Sequence, residues 1–329
     1  MIAFEARACS VLYNLLLSSG DHRPFLLPAN VCPVVPLTFR KAGRPFDLVD
    51  IGGPDLAMDA EQCLARIARD RGGIAGLLFV RTYGALGDAA PFFQAAKELA
   101  PDLLVIDDRC LCRPDPDGLC RTPGADVTLW STGYAKHVDV GFGGFAHLAE
   151  DVSYGRSEGA FSAAVCEELE RGVKKAVARR VPFDGGGEGW LDLSPPEVSW
   201  AAYRSGLFAA LAEIDEHKRR LNAVYTERLP PGICLPERFQ QWRFNLVVPE
   251  PDELVARLFA AGLFASRHYA SLGGVLGEGC FPQAERLHGQ VVNLFNDRSF
   301  DEERARLAAE VVLEHLKEKG KGSPNGLPV

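Results

Sequence analysis

The sequence predicts an α/β fold: a mainly parallel sheet sandwiched by helices, with a smaller C-terminal α+β domain. Three observations carry this. Over roughly the first half of the chain, short runs that are apolar throughout alternate with amphipathic segments of ten or more residues, the pattern of strands buried on both faces joined by crossover helices. Glycines and prolines fall at the joints between them. Beyond residue 240 this alternation stops, and with 329 residues, 47% of them hydrophobic, there is material for a second, smaller core.

In chain order, residues 4–18 (FEARACSVLYNLLLS) carry apolar positions at helical spacing, so a helix is expected almost at the start. Arg7 and Ser10 lie in its first turn, where free N–H groups and the helix dipole favour a phosphate; a plain packing helix is the alternative. Residues 24–28 read as a buried strand, and a second helix runs through Leu37 and Phe39 to Gly43 as its stop signal. A strand is expected over 44–51, a helix over 59–71, a strand over 73–84, a helix over 91–100, and a strand over 102–108 that closes on Asp107 and Asp108. Short strands follow at 125–131, ending on Ser131, and at 143–148.

A charged helix over 162–180 leads into a glycine- and proline-rich passage, 181–196, expected to be a mobile or subunit-contacting loop. A long helix over 197–229 connects to strands at 243–249, 264–269 and 291–296 and helices at 252–261 and 301–317. The expected division is a large domain over 1–215, a small domain over 216–318 and a tail over 319–329.

A net charge of -8 argues against a general nucleic-acid binder, which needs a clustered excess of Lys and Arg. No apolar run approaches the roughly 18 to 20 residues that span a bilayer. The N-terminus also lacks a signal-peptide pattern, so a cytoplasmic protein without membrane contact is expected. Nine scattered cysteines read as reduced thiols. Cys110, Cys112 and Cys120 fit no tetrahedral pairing, so no metal is expected.

The stretch WSTGYAKHVDVGFGGF (130–145) does not read as packing. Lys136 follows Ser131 by five residues, at the end of an apolar run and just before three glycines. In doubly wound sheets, ligands gather at the C-terminal ends of strands, and Ser131 and the Asp107–Asp108 pair share that rim. A lysine, a buried aspartate and a phosphate seat together suit pyridoxal 5'-phosphate. The amine forms a Schiff base with the aldehyde, a carboxylate keeps the pyridine nitrogen protonated, and hydroxyls with helix-end amides hold the phosphate.

The chain also resembles the DegT/DnrJ/EryC1/StrS family of sugar aminotransferases, fold-type I PLP-dependent transferases. The resemblance runs in order through LPANVCPVV (27–35), KAGRPFDLVDI (41–51), FVRTYGALGD (79–88), LLVIDD (103–108), ADVTLWSTGYAKHVDVGFGG (125–144), HKRRLNAVYTERL (217–229), residues 262–269 and FPQAERLHGQVVNLFNDRSFDEE (281–303). It implies a PLP-dependent aminotransferase that moves an amino group from a donor such as glutamate to a keto-sugar, nucleotide-sugar or cyclitol. It also implies a homodimer with sites at the interface.

By the same resemblance, Lys136 carries the Schiff base and shuttles a proton, Asp108 faces the pyridine nitrogen, and Ser131 binds phosphate. That mechanism needs the Lys136 pKa lowered by burial and by the cofactor. Arg7 stands in Ala6-Arg7-Ala8, where the family has a Ser-Gly-Thr type phosphate loop, and offers a charge to the phosphate. Cys32 falls near the family's ring-stacking aromatic, and Leu111 replaces the Gln or His that supports the cofactor hydroxyl. The family's cross-dimer asparagine segment is not recognisable in 189–198.

Tyr83 is a candidate to face the cofactor or to be a structural tyrosine, and Arg267, His268 and Tyr269 are candidates to approach substrate. A family branch that dehydrates sugars has histidine in place of the lysine; here Lys136 is present and His137 is out of register. The other reading of the altered cradle is a PLP-fold homologue without efficient turnover, acting as a binding or regulatory subunit.

Overall fold

The computed structural model describes residues 1–319, so the expected tail lies outside the described residues except for Lys319, which ends a helix. The first element is a strand, β1 (Ile2–Glu5), and helix α1 (Ala8–Ser19) begins only after it. This corrects the expected helix from residue 4. Residues 2–5 alternate in burial and pair antiparallel with β9 (Gly144–Leu148), in register from Ile2↔His147 to Glu5↔Gly144. The sheet edge takes a segment whose apolar spacing suits either period, and β9 gains a neighbour.

The strands and helices then follow the expected alternation. They are β2 (Phe25–Pro28), α2 (Val34–Lys41), β3 (Phe46–Val49), the small hairpin β4 (Ile51–Gly52) with β5 (Ala57–Met58), α3 (Ala60–Arg69), β6 (Gly76–Val80), α4 (Ala90–Leu99), β7 (Leu104–Asp108) and β8 (Val127–Ser131). The seven-stranded sheet has the order β1-β9-β8-β7-β6-β2-β3. Its β3, β2, β6, β7 and β8 are parallel, and β9 and β1 run antiparallel at one edge.

Two apolar layers cover the sheet. On one face Leu27, Leu78, Ile106 and Leu129 pack with Val11, Leu15 and Leu37 of α1 and α2. On the other, Leu26, Leu77, Phe79 and Val105 pack with Cys63, Ile67, Phe93 and Ala96 of α3 and α4. Each such fully buried Leu or Phe contributes about 1.5–3 kcal/mol, and the period-two alternation assigns every strand residue to one layer or the other.

Helix α5 (Ala163–Arg179) precedes the 181–196 passage, which is tied down rather than loose. Trp190, Leu191 and Leu193 enter the core, and Ser10 Oγ donates to the Asp192 carbonyl at 2.5 Å. The apolar residues between the glycines supply the anchoring that a composition-based reading overlooks. The long helix α6 (Trp200–Arg228) packs Tyr203, Leu207 and Leu211 on Trp130 and Phe145 at its start. At its end, Leu221 and Tyr225 join the second core.

That second core lies under a three-stranded sheet of order β10-β12-β11: β10 (Phe244–Val247), β11 (Ala265–Ser266) and β12 (Val291–Leu294). Helices α7 (Pro251–Ala260) and α9 (Glu302–Lys319) cover it, and α8 (Pro282–His288) is an element that the sequence reading did not separate. The expected strand over 264–269 shrinks to two paired residues, because beyond Ser266 the chain leaves β12, and the His268 N–H is taken by the Asn293 side chain at 2.8 Å.

Candidate active site

The C-terminal ends of β7 and β8 position the candidate site. Asp107 and Asp108 are neighbours on a strand and therefore face opposite sides of the sheet. Asp107 is fully buried on the α3–α4 side, where Arg81 Nε and Nη2 donate at 2.7 and 3.0 Å, Arg109 Nε at 2.9 Å and Thr122 Oγ1 at 2.8 Å. Asp108 faces the other way, with Ile106. Its carboxylate accepts the Cys110 N–H at 2.9 Å and has no ion-pair partner within 4 Å among the described residues. Burial pushes its pKa up, the hydrogen bonds from Cys110 pull it down, and the Lys136 charge also lowers it.

Asp108 pairs in register with Leu129, and alternation along β8 brings Ser131 to the Asp108 face two residues further on. Ser131 is buried and its hydroxyl donates no hydrogen bond among the described residues. The chain then leaves the sheet as a loop that closes on itself. The Thr132 N–H donates to the Gly143 carbonyl at 3.0 Å, and the Val140 N–H to the Thr132 carbonyl at 2.9 Å.

Lys136 sits on this loop immediately after Ala135, whose φ of 58° lies in the left-handed region that non-glycine residues seldom adopt. Trp242 holds that conformation from the C-terminal domain, its indole Nε1 donating to the Ala135 carbonyl at 2.6 Å. Lys136 keeps part of its surface in solvent while its amine turns into the interior, where it makes no hydrogen bond or ion pair among the described residues. Burial lowers its pKa, but the fields of Cys110, Cys32, Asp108 and Cys9 outweigh burial, and the net direction is up. The expected lowering also depends on the cofactor's ring, so this direction describes the amine without a cofactor. Burial raises the pKa of the surrounding thiols, that of Cys9 to about 11.

The start of α1 lies against the same loop. A Cβ on Gly144 would come within 2.0 Å of the Ala8 nitrogen, so only glycine allows this approach. Arg7, the residue before the first turn, donates to the Gly141 carbonyl at 3.4 Å, and a Cβ on Gly133 would lie 3.1 Å from its guanidinium. Of the first-turn N–H groups, those of Ser10 and Val11 donate to the Arg7 carbonyl, and the Ala8 nitrogen and Arg7 lie against the loop that follows Ser131, an arrangement suited to an anion.

The remaining candidates separate. Cys32 has its thiol in the field of Lys136 and Asp108. Tyr83 is wholly buried, and its hydroxyl donates to the His268 carbonyl at 2.7 Å. Arg267 is committed to Asp252 and the His288 carbonyl. His268 stands edge-on to Trp242 with ring centroids 5.5 Å apart; burial, then Arg243 and Lys136, hold its pKa down to about 4. The phenol of Tyr269 lies in the field of Cys32, Asp108 and Cys110. Sequence reasoning missed Trp242, Cys9 and Cys110; Trp242 acts 107 positions away from its target, which leaves no local signal.

A cleft of about 790 Å³ lies behind the loop, and Lys136, Asp108 and Ser131 are not among its lining residues. Its polar groups already satisfy one another. His137 Nε2 meets Asp215 at 2.9 Å, Arg113 Nε donates to Asp215 at 2.7 Å, and the Lys218 amine donates to the Trp242 carbonyl and to Asn296, both at 2.8 Å.

No protein-family model and no curated protein matches the sequence. Solved structures do match over nearly its whole length. The DegT DnrJ EryC1 StrS aminotransferase from Brucella abortus is similar with a TM-score of 0.63 at 19% identity, over 95% of this chain and 85% of that one. DesI, solved in the presence of its TDP-sugar product, gives 0.69 at 20% identity, over 97% of this chain and 81% of that one. The sugar aminotransferase CalS13 from Micromonospora echinospora gives 0.65 at 17% identity, over 95% and 87%. The class is thereby defined at the level of architecture: this chain has the fold-type I α/β fold that these aminotransferases share.

Proposed function

We propose that the chain is a pyridoxal 5'-phosphate-dependent aminotransferase, moving an amino group from an amino-acid donor, glutamate in our reading, to a keto-sugar, nucleotide-sugar or cyclitol. The observation that carries this reading is the contrast between Asp107 and Asp108: the first has two arginines, while the second is buried, makes no ion pair within 4 Å among the described residues and lies in the field of the Lys136 amine. A buried carboxylate kept free of a protein counter-ion fits a protonated ring nitrogen brought by a ligand. The residues at the other end of the site fit the same group, since the α1 N-terminus, Ser131 and Arg7 offer donors to a phosphate.

Bound there, the cofactor would supply an electron sink for the electrons released when a Cα proton leaves. Lys136 would hold it through its amine and, once displaced by the donor amine, take the Cα proton and return it. Asp108 would keep the ring nitrogen protonated, and the buried thiols and Tyr269 would exclude water. Both half-reactions would use this one site. We also read the protein as a cytoplasmic homodimer; among the described residues, no helix is long and apolar enough to cross a membrane.

The test is spectroscopic. The purified protein with added PLP should develop an absorption band at the edge of the visible that shifts with glutamate, and Lys136→Ala should lose the band. Amino transfer in that variant should fall by about 10²–10⁴-fold. A protein that stays colourless with excess PLP overturns the reading.

A further inference from the structure

Resting on that cofactor reading, we propose that Tyr269, delivered by the C-terminal domain, is the aromatic wall of the cofactor chamber, so that both domains hold the cofactor. The large domain lines the surroundings of Lys136 and Asp108 with sulfur, from Cys9, Cys32 and Cys110. Thiols are polarizable but small, and they offer no flat surface to a flat ring. Tyr269 packs on the apolar cluster that holds Leu111, the residue after Cys110, together with Trp242, and its phenol lies in the field of Cys32, Asp108 and Cys110.

A column of rings sets its position. Tyr83 and Trp242 are nearly parallel, at 5° with centroids 6.3 Å apart, and Trp242 and Tyr269 follow at 15° and 6.3 Å. The column is anchored at two points. Tyr83 donates to the His268 carbonyl, one residue before Tyr269, and Trp242 donates to the Ala135 carbonyl, one residue before Lys136. The contacts that orient the Tyr269 ring are therefore the ones that fix the lysine loop. The Tyr269 hydroxyl donates no hydrogen bond among the described residues, so packing holds the ring, against Trp242, against the His268 ring at 4.7 Å and against the apolar cluster around Leu111, and aromatic pairs favour this kind of offset contact.

The experiment is a PLP titration of the full chain, read by absorbance and by the circular dichroism that the bound cofactor acquires, with Tyr269→Leu and Tyr269→Phe beside the wild type. Tyr269→Leu should weaken the dissociation constant by about tenfold and diminish the induced dichroism, with far-UV dichroism and the thermal midpoint close to wild type. Tyr269→Phe, which keeps the ring, should stay within about twofold on the same reasoning. If Tyr269→Leu binds as the wild type does, the proposal fails; it fails equally if Tyr269→Phe loses as much as Tyr269→Leu, because the hydroxyl is then the contact. Should Tyr269→Leu not fold, Tyr269→Met carries the same comparison. A wild type that takes up no PLP overturns the cofactor reading itself, which separates the two failures.

Discussion

Asp107 and Asp108 differ by one position and by everything around them, because strand neighbours point to opposite faces of the sheet. Asp107 ties Arg81 and Arg109 into a buried cluster that braces the end of β7, and this fixes the backbone from which Asp108 projects. Cys110, Cys32, Asp108 and Cys9, in that order, raise the Lys136 pKa against burial in the absence of a cofactor. A protonated amine cannot attack an aldehyde. The rate of PLP uptake should therefore climb with pH throughout the neutral and moderately alkaline range, since the Lys136 pKa is raised above its ordinary 10.5. Stopped-flow absorbance between pH 7 and about 9.5 checks this, and a plateau near neutrality would show a lowered pKa instead. Legibility at these positions was uneven: the Lys136 block and the Asp pair stood out as a pattern, whereas the arginine partners, 26 positions upstream of Asp107 and 2 downstream, had no visible purpose until the strands were paired.

Helix α1 and strand β9 meet at a point where backbone touches backbone, and this contact sets where the helix N-terminus opens relative to Ser131. Gly144→Ala would place a methyl 2.0 Å from the Ala8 nitrogen, and a backbone neighbour cannot turn aside as a side chain can. The variant should be destabilised by about 1–3 kcal/mol, as overpacking generally is, and should bind PLP more weakly because the α1 donors move. Urea denaturation together with a PLP titration measures both; an unchanged dissociation constant would separate the α1 terminus from the phosphate seat. The regular elements of the large domain were legible because their strands are buried on both faces and their helices carry capping and stop signals. Strand β1 was misjudged because four residues are too few to distinguish a period of two from one of 3.6, and its partner lies 139 to 145 positions away.

Across the molecule, the fold desolvates several histidines. Burial is the leading cause that lowers His137, His147, His268 and His288, the last two to about 4. In the unfolded chain they titrate near 6.5. As the pH falls below that value the unfolded chain binds protons that the folded chain refuses, so stability is lost from about pH 6.5 downward and levels off for this group below about pH 4. His268 alone accounts for about 3 kcal/mol of this at order of magnitude. Chemical denaturation at pH 7, 5.5 and 4.5 checks the sign, and Tyr or Phe at position 268 should flatten the profile; a flat wild-type profile would contradict it. By itself the sequence determined the α/β alternation and singled out Lys136, Asp108 and Ser131 as candidates, because periodicity, strand ends and residue chemistry are local. The tertiary structure alone decided that Asp108 makes no ion pair within 4 Å among the described residues, that Trp242 holds the lysine loop, and that Arg267 is committed to Asp252, because burial and partner choice depend on segments that only folding brings together.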